Sequence, residues 1–146
     1  NGSYERSRVA VQKMLEQYPT IKIVLDIHRD AVELESGERI APTTEINGEK
    51  AAQIMIIAGC DDGTMDMPDY DENLKLAAML QSTIEGEFPT LTRPILFDYR
   101  KYNQDLTTGS LLIEVGGHAN TLDEALYSGE LVGKALAKAL LSLVGD

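Results

Sequence analysis

The chain has 146 residues, 43% of them hydrophobic and 25% charged, which is the size and composition of one globular domain with room for a core. Its net charge of −11 leaves no Lys/Arg patch to neutralise nucleic-acid phosphates and no attraction toward anionic lipid. Cys60 is alone, which excludes an intrachain disulfide framework, and no apolar run approaches the ~20 residues of a membrane helix or the pattern of a signal peptide.

Taken in chain order, Ser3 can cap a first helix with Glu5 in its first turn, where the helix dipole favours acid. Tyr4, Val11, Met14, Leu15 and Tyr18 fall on one side at helical spacing, and Pro19 marks the exit. Residues 21–27 are a β-branched run that predicts a strand buried on at least one face. By the period of two, Asp26, His28 and Asp30 share one side of it. Residues 31–50 are polar and turn-rich. Asn47-Gly48, between Thr43–Ile46 and Ala51–Ile57, predicts a hairpin, because both turn residues tolerate positive φ. That hairpin implies an antiparallel pair and a mixed sheet.

The acidic loop Cys60–Pro68 lacks the spacing of an EF-hand and reads as a solvated loop capping the next helix. The helix runs from about Tyr70 to Glu87, with Leu76, Leu80, Ile84 and Phe88 along one stripe. Pro89 and Pro94 bracket a connector before the strand Ile95-Leu96-Phe97, and residues 99–105 form a polar loop. Leu111–Val115 is a buried strand ending in the Gly116-Gly117 turn. In Thr121-Leu122-Asp123-Glu124 the Thr and Glu make a capping box for the last helix, whose apolar stripe includes Leu122, Ala125, Leu126, Gly129, Val132, Leu136, Ala139, Leu140 and Leu143. The fold class is α/β, a mixed, mostly parallel sheet flanked by helices, within a single domain spanning residues 1–146.

Three strand exits carry polar groups: His28-Arg29-Asp30, Cys60-Asp61-Asp62, and Glu114 through Asn120. In α/β sheets functional groups gather where strands leave the sheet at their carboxyl ends. No Gly-x-Ser-x-Gly elbow, Gly-x-Gly-x-x-Gly or P-loop is present. Cys60 beside a glycine reads as a small filler rather than a nucleophile. His28 with Glu114 makes a metal-hydrolase reading the best chemistry, an imidazole for the metal and a carboxylate for the water's proton, although it falls short of three protein ligands.

Asn1–Ser7, Asp26–Asp30, Thr43–Gly48, Tyr102–Leu106 and Leu112–Thr121 together resemble the stage II sporulation protein P family of peptidoglycan hydrolases. That family is related to the zinc-dependent N-acetylmuramoyl-L-alanine amidases. The resemblance implies cleavage of the amide between the muramic acid lactyl group and L-alanine, and of peptide cross-links. It implies Zn2+ as cofactor, His28 as a zinc ligand and Glu114 as the catalytic glutamate, with Asp26 or Asp30 orienting His28. His118 can hydrogen-bond substrate or the developing oxyanion, or be an ordinary loop histidine. Arg29 can pair with a neighbouring carboxylate or grip substrate carboxylates. Asn103 and Gln104 can hold peptide groups or fix their loop. The resemblance further implies peptidoglycan as partner, a stage II sporulation protein D-like lytic transglycosylase beside it, and work outside the cytoplasmic membrane from an N-terminal anchor during engulfment. The family's other zinc ligands belong to a segment upstream of residue 1. The expectation is therefore the C-terminal part of an amidase-like catalytic domain, lacking its first strand and half its metal site. An open sheet edge and dimers would follow. The competing expectation is a non-catalytic module of the same fold that binds wall or a partner.

Overall fold

The computed structural model describes residues 2–144. Its elements are α1 (Ser3–Gln17), β1 (Val24–Asp30), β2 (Thr43–Ile46), β3 (Glu49–Ala52), β4 (Ile54–Gly59), α2 (Tyr70–Glu87), β5 (Leu96–Asp98), β6 (Ser110–Gly117) and α3 (Leu122–Val144). The main sheet has the order β1-β6-β4-β5. β1 lies parallel to β6 and β5 parallel to β4, while β4 runs antiparallel to β6. The predicted mixed, mostly parallel α/β sheet is what forms.

The Asn47-Gly48 hairpin is present, with φ of 53° and 83° at its two turn residues, as a primed two-residue turn requires. Its second strand stops at Ala52 rather than running through residue 57. Gln53 breaks the ladder: its N–H donates to Pro42 O and its carbonyl accepts from Gly116. The chain then enters the main sheet as β4, leaving β2 and β3 as a separate ribbon.

One face of the sheet buries Ile54, Ile56 and Ala58 of β4 and Leu111 and Ile113 of β6. Ala77, Leu80 and Ile84 of α2 and Leu131, Val132, Ala135 and Ala139 of α3 cover them. Because side chains alternate along a strand, Asp26, His28, Leu112 and Glu114 turn to the opposite face. Ser7 and Val11 of α1 line a cavity of about 110 Å³ with Val24 and Asp26, so α1 lies over that second face.

Three expectations are corrected: the N-cap of α1, the burial of β1 and the phase of the α3 stripe. Gly2, at φ 81°, takes the N-cap position of α1, and Ser3 is the first helical residue and makes no capping bond. β1 starts at Val24 and holds no fully buried residue, because it is an edge strand with β6 on one side only; Ile27 is 56% exposed. The apolar side of α1 is likewise never fully covered, and Met14 and Tyr18 are each 47% exposed. The buried stripe of α3 is Ser128, Leu131, Val132, Ala135 and Ala139, while Leu122, Leu126, Gly129 and Leu143 face solvent. The stripe is rotated because Ser128 reaches the hairpin, donating to Ala52 O at 2.7 Å, and Tyr127 donates to Ile46 O at 3.0 Å. The Thr121–Glu124 box forms as expected, with reciprocal bonds of 3.0 and 3.2 Å.

Candidate functional site

The parallel register of β1 and β6 sets His28 directly opposite Glu114. The ladder then slips, so that Asp30 faces Gly117. That irregularity brings the two strand exits together: the His118 N–H donates to Asp30 O at 2.8 Å, and Arg29 Nη2 donates to His118 O at 3.3 Å. β6 runs on past Glu114 to Gly117 through Gly116 at φ +67°, where a Cβ would stand 2.6 Å from Ala52 Cβ and 2.8 Å from Asn120 Oδ1. Asn120 Oδ1 accepts from Gly117 N, which locks the turn.

His28 is half open to solvent at the mouth of the site. Its Nε2 lies 3.0 Å from Asp26 Oδ1, and the ring stacks on Tyr4 with centroids 6.1 Å apart and planes 21° apart. Asp26 is therefore the carboxylate that meets the imidazole. Asp30 turns elsewhere: its Oδ2 accepts from Arg93 Nη1 at 3.0 Å and its Oδ1 from the Ala31 N–H.

Glu114 is buried, 8% exposed, and its Oε2 has no hydrogen-bond partner. Burial pushes its carboxyl above the usual range, and the Asp30 charge adds to the rise. His28 and Arg93 pull the other way, and Asp26 raises it a little further. Both ring nitrogens of His118 are also enclosed without partners, as are Nε and Nη2 of Arg93. Three unsatisfied side chains thus gather at one end of the sheet, where a buried polar group without a bond costs about 1–3 kcal/mol.

Sequence reasoning missed two residues. Arg93 lies on the connector before β5, where its N–H donates to Ile54 O at 2.7 Å. Ile54 pairs with Val115, so Arg93 flanks Glu114 from the β4 side. Glu85 clamps this connector by accepting from the Thr90 and Thr92 amides and the Thr92 hydroxyl at 2.6–2.9 Å. Burial works against the Glu85 charge, but those bonds hold its carboxyl below the usual range. Tyr4 counted as an apolar helix residue, yet it contacts His28. Neither carried a local signal, because both arrive through tertiary contacts between distant elements.

Other candidates go to other places. Since β4 runs antiparallel to β6, Cys60-Asp61-Asp62 emerges at the far end of the sheet from His28 and Glu114. Burial, then Asp98, Asp62 and Asp61, push the Cys60 thiol up and keep it a poor nucleophile. Gln104 is 1% exposed and bonds Gly59 N and Ile57 O, while Asn103 donates to Tyr4 O and Ser7 Oγ; both fix their loop. Arg29 meets a carbonyl instead of a carboxylate.

Among the described residues no group of three or more His, Cys, Asp or Glu side chains is arranged to hold a metal ion. His28 and Glu114 offer two donors, whereas a zinc site takes three protein ligands or more. No helix of the structure is long and apolar enough to cross a membrane.

Comparison with known proteins finds no solved structure similar to the chain. The stage II sporulation protein P of Bacillus subtilis (strain 168) is 32% identical over 127 residues, which cover 84% of this chain and 29% of that protein. The chain therefore spans less than a third of the length of the curated relative it matches. A model of the stage II sporulation protein P family matches residues 1–137, a range that includes β1, β6 and the loops joining His28, Arg93 and Glu114. On that match and that identity, the chain belongs to the stage II sporulation protein P family.

Proposed function

We propose that the chain is the C-terminal part of the catalytic domain of a zinc-dependent peptidoglycan hydrolase. The bond cut is the amide between the N-acetylmuramoyl lactyl group and L-alanine, with peptide cross-links as further targets. The observation that carries this reading is Glu114: an enclosed carboxylate with a free oxygen, set across from His28 at the ends of adjacent parallel strands. A carboxyl raised by burial is suited to exchange protons with a reacting water.

In the proposed reaction, the water oxygen attacks the amide carbonyl carbon and the C–N bond breaks. Glu114 takes the water's proton and returns it to the leaving nitrogen. Asp26 holds the imidazole of His28 in a fixed orientation, and Asp30 fixes the Arg93 guanidinium near Glu114. Zinc, when bound, lowers the pKa of a water toward ~7 and polarises the carbonyl. Of such a site these residues would supply His28 as a ligand and Glu114 as the base, and its other donors would come from a segment outside them.

The family name places the work in sporulation. We further propose that the full-length protein acts outside the cytoplasmic membrane from an N-terminal anchor, on peptidoglycan at the engulfing septum, beside a stage II sporulation protein D-like lytic transglycosylase.

The test is mass spectrometry of peptidoglycan digested by an upstream-extended protein supplied with zinc. Stem peptides with an unblocked L-alanine amine are expected, and Glu114→Gln or His28→Ala should abolish them with the fold intact. Retained activity in either variant overturns the assignment. The lack of a three-donor cluster among the described residues favours a second reading, a wall-binding module. That reading predicts binding to intact wall that survives both a chelator and the two substitutions.

A further inference from the structure

The N-terminal end of α1 is held with unusual care for a helix that buries no residue. Tyr102 and Asn103, on the loop between β5 and β6, both adopt left-handed conformations, at φ 42° and 59°. Successive non-glycine residues in that region cost conformational energy, and for a tyrosine the left-handed region is a true outlier. Both strained residues touch the same target. The Tyr102 ring meets the Tyr4 ring with centroids 4.9 Å apart, and Asn103 Nδ2 donates to Tyr4 O at 3.0 Å. One turn on, Arg8 makes a bidentate pair with Asp105 at 2.6 and 2.8 Å, pinning α1 to the same loop. Arg100 in turn donates to the Tyr102 hydroxyl at 2.8 Å.

The strain therefore serves the placement of Tyr4, and Tyr4 lies against His28. Its own hydroxyl makes no hydrogen bond among the described residues, although it lies within electrostatic reach of Asp26 and Glu114. A ring packed against both His28 and Tyr102, with a free donor at its tip, is a group prepared for an acceptor that arrives from outside.

We propose that Tyr4 is a further catalytic residue, whose hydroxyl donates a hydrogen bond to the scissile carbonyl oxygen as that oxygen gains negative charge. This rests on the hydrolytic reading of Glu114. Only oxygen fits as the acceptor, because the developing charge in amide hydrolysis sits there and a neutral phenol offers a proton without the desolvation cost of a cation. Tyr4 then approaches the site from α1 against His28, and Arg93 from the connector before β5, with its guanidinium on Asp30.

The test is Tyr4→Phe in the extended, zinc-supplied protein, which keeps the ring stack and removes one oxygen. A fall in kcat of about 10²–10³ is expected, with KM within about twofold. A muramoyl peptide with a tetrahedral phosphinate in place of the amide gives a second readout, and its affinity should fall about tenfold or more by calorimetry. Wild-type kcat and unchanged phosphinate affinity in Tyr4→Phe, with loss only in Tyr4→Leu, would make Tyr4 a packing residue and overturn the proposal. Glu114→Gln run alongside separates the two ideas. If it is inactive while Tyr4→Phe is fully active, Tyr4 alone falls. If it keeps full activity, the base assignment falls and the phosphinate affinities decide Tyr4.

Discussion

The two ends of the sheet are made of similar materials and put to opposite uses. At the end where β4 leaves and β6 begins, buried polar side chains are fully bonded. Asn73 Nδ2 donates to Gln104 O at 2.7 Å and its Oδ1 accepts from Ser110 N at 2.8 Å. Gln104 accepts from Gly59 N at 2.8 Å and donates to Ile57 O at 2.9 Å. Asp61 accepts from the amides of Gly63, Met65 and Met67 at 2.7–2.9 Å, which hold its carboxyl below the usual range. At the other end, Glu114, His118 and Arg93 keep buried atoms that bond to nothing. Satisfied burial builds rigid scaffold, while unsatisfied burial is retained at a cost that a ligand can recover.

Breaking the satisfied end should have the largest effect on folding. Gln104→Ala strands two buried backbone groups, and we expect a loss of about 2–5 kcal/mol in urea unfolding. Asp30→Ala should cost about 2–4 kcal/mol, because it leaves the enclosed Arg93 guanidinium with no partner; a double variant with Arg93→Met should recover part of the loss. A smaller effect follows at the α1 anchor. Burial works against the Asp105 charge, but Arg8 and then Lys101 hold its carboxyl below the usual range. Its contribution is present above the ordinary Asp pKa and lost as pH falls through the depressed value. Asp105→Asn should remove that acid-side slope, about 1 kcal/mol, and speed amide exchange in α1.

The smallest effect has the opposite sign. Because the folded pKa of Glu114 is raised, the native state holds its proton more tightly than the unfolded chain. Stability therefore declines as pH rises from the ordinary Glu value through the raised one. Glu114→Gln removes that decline. It should raise Tm at pH 7 by about 2–4 °C, with the gain vanishing toward pH ~4. A variant less stable than wild type at pH 7 would mean that Glu114 is already well partnered, and the contrast between the two ends would weaken.

Much of the scaffold was legible because its signals are local. The capping box at Thr121, the Asn47-Gly48 turn and the period of α2 depend on residues a few positions apart. The company of His28 and Glu114 was legible too, since both stand where apolar strands run out. What escaped depends on register and direction. Nothing near Arg93 says that β4 runs antiparallel, which alone brings the connector beside Glu114. Nothing near Tyr4 announces a contact with Asn103, 99 residues away. The phase of the α3 stripe was misjudged because a serine, Ser128, holds the centre of the buried face through two carbonyl bonds. The burial of β1 was overestimated because apolar content does not tell an edge from a centre.

The tie between α1 and the β5–β6 loop has a kinetic consequence. Arg8–Asp105 and Tyr4–Asn103 are among the most sequence-distant bonds in the molecule, and α1 contributes nothing fully buried that could drive its early docking. Closing so long a loop for so little hydrophobic return belongs late on the folding path, after β4, β6, α2 and α3 have condensed. Substitutions in that tie should leave the refolding rate nearly unchanged and accelerate unfolding, the pattern of low φ-values. The aromatic support of His28 would then be the last part of the protein to assemble and the first to open.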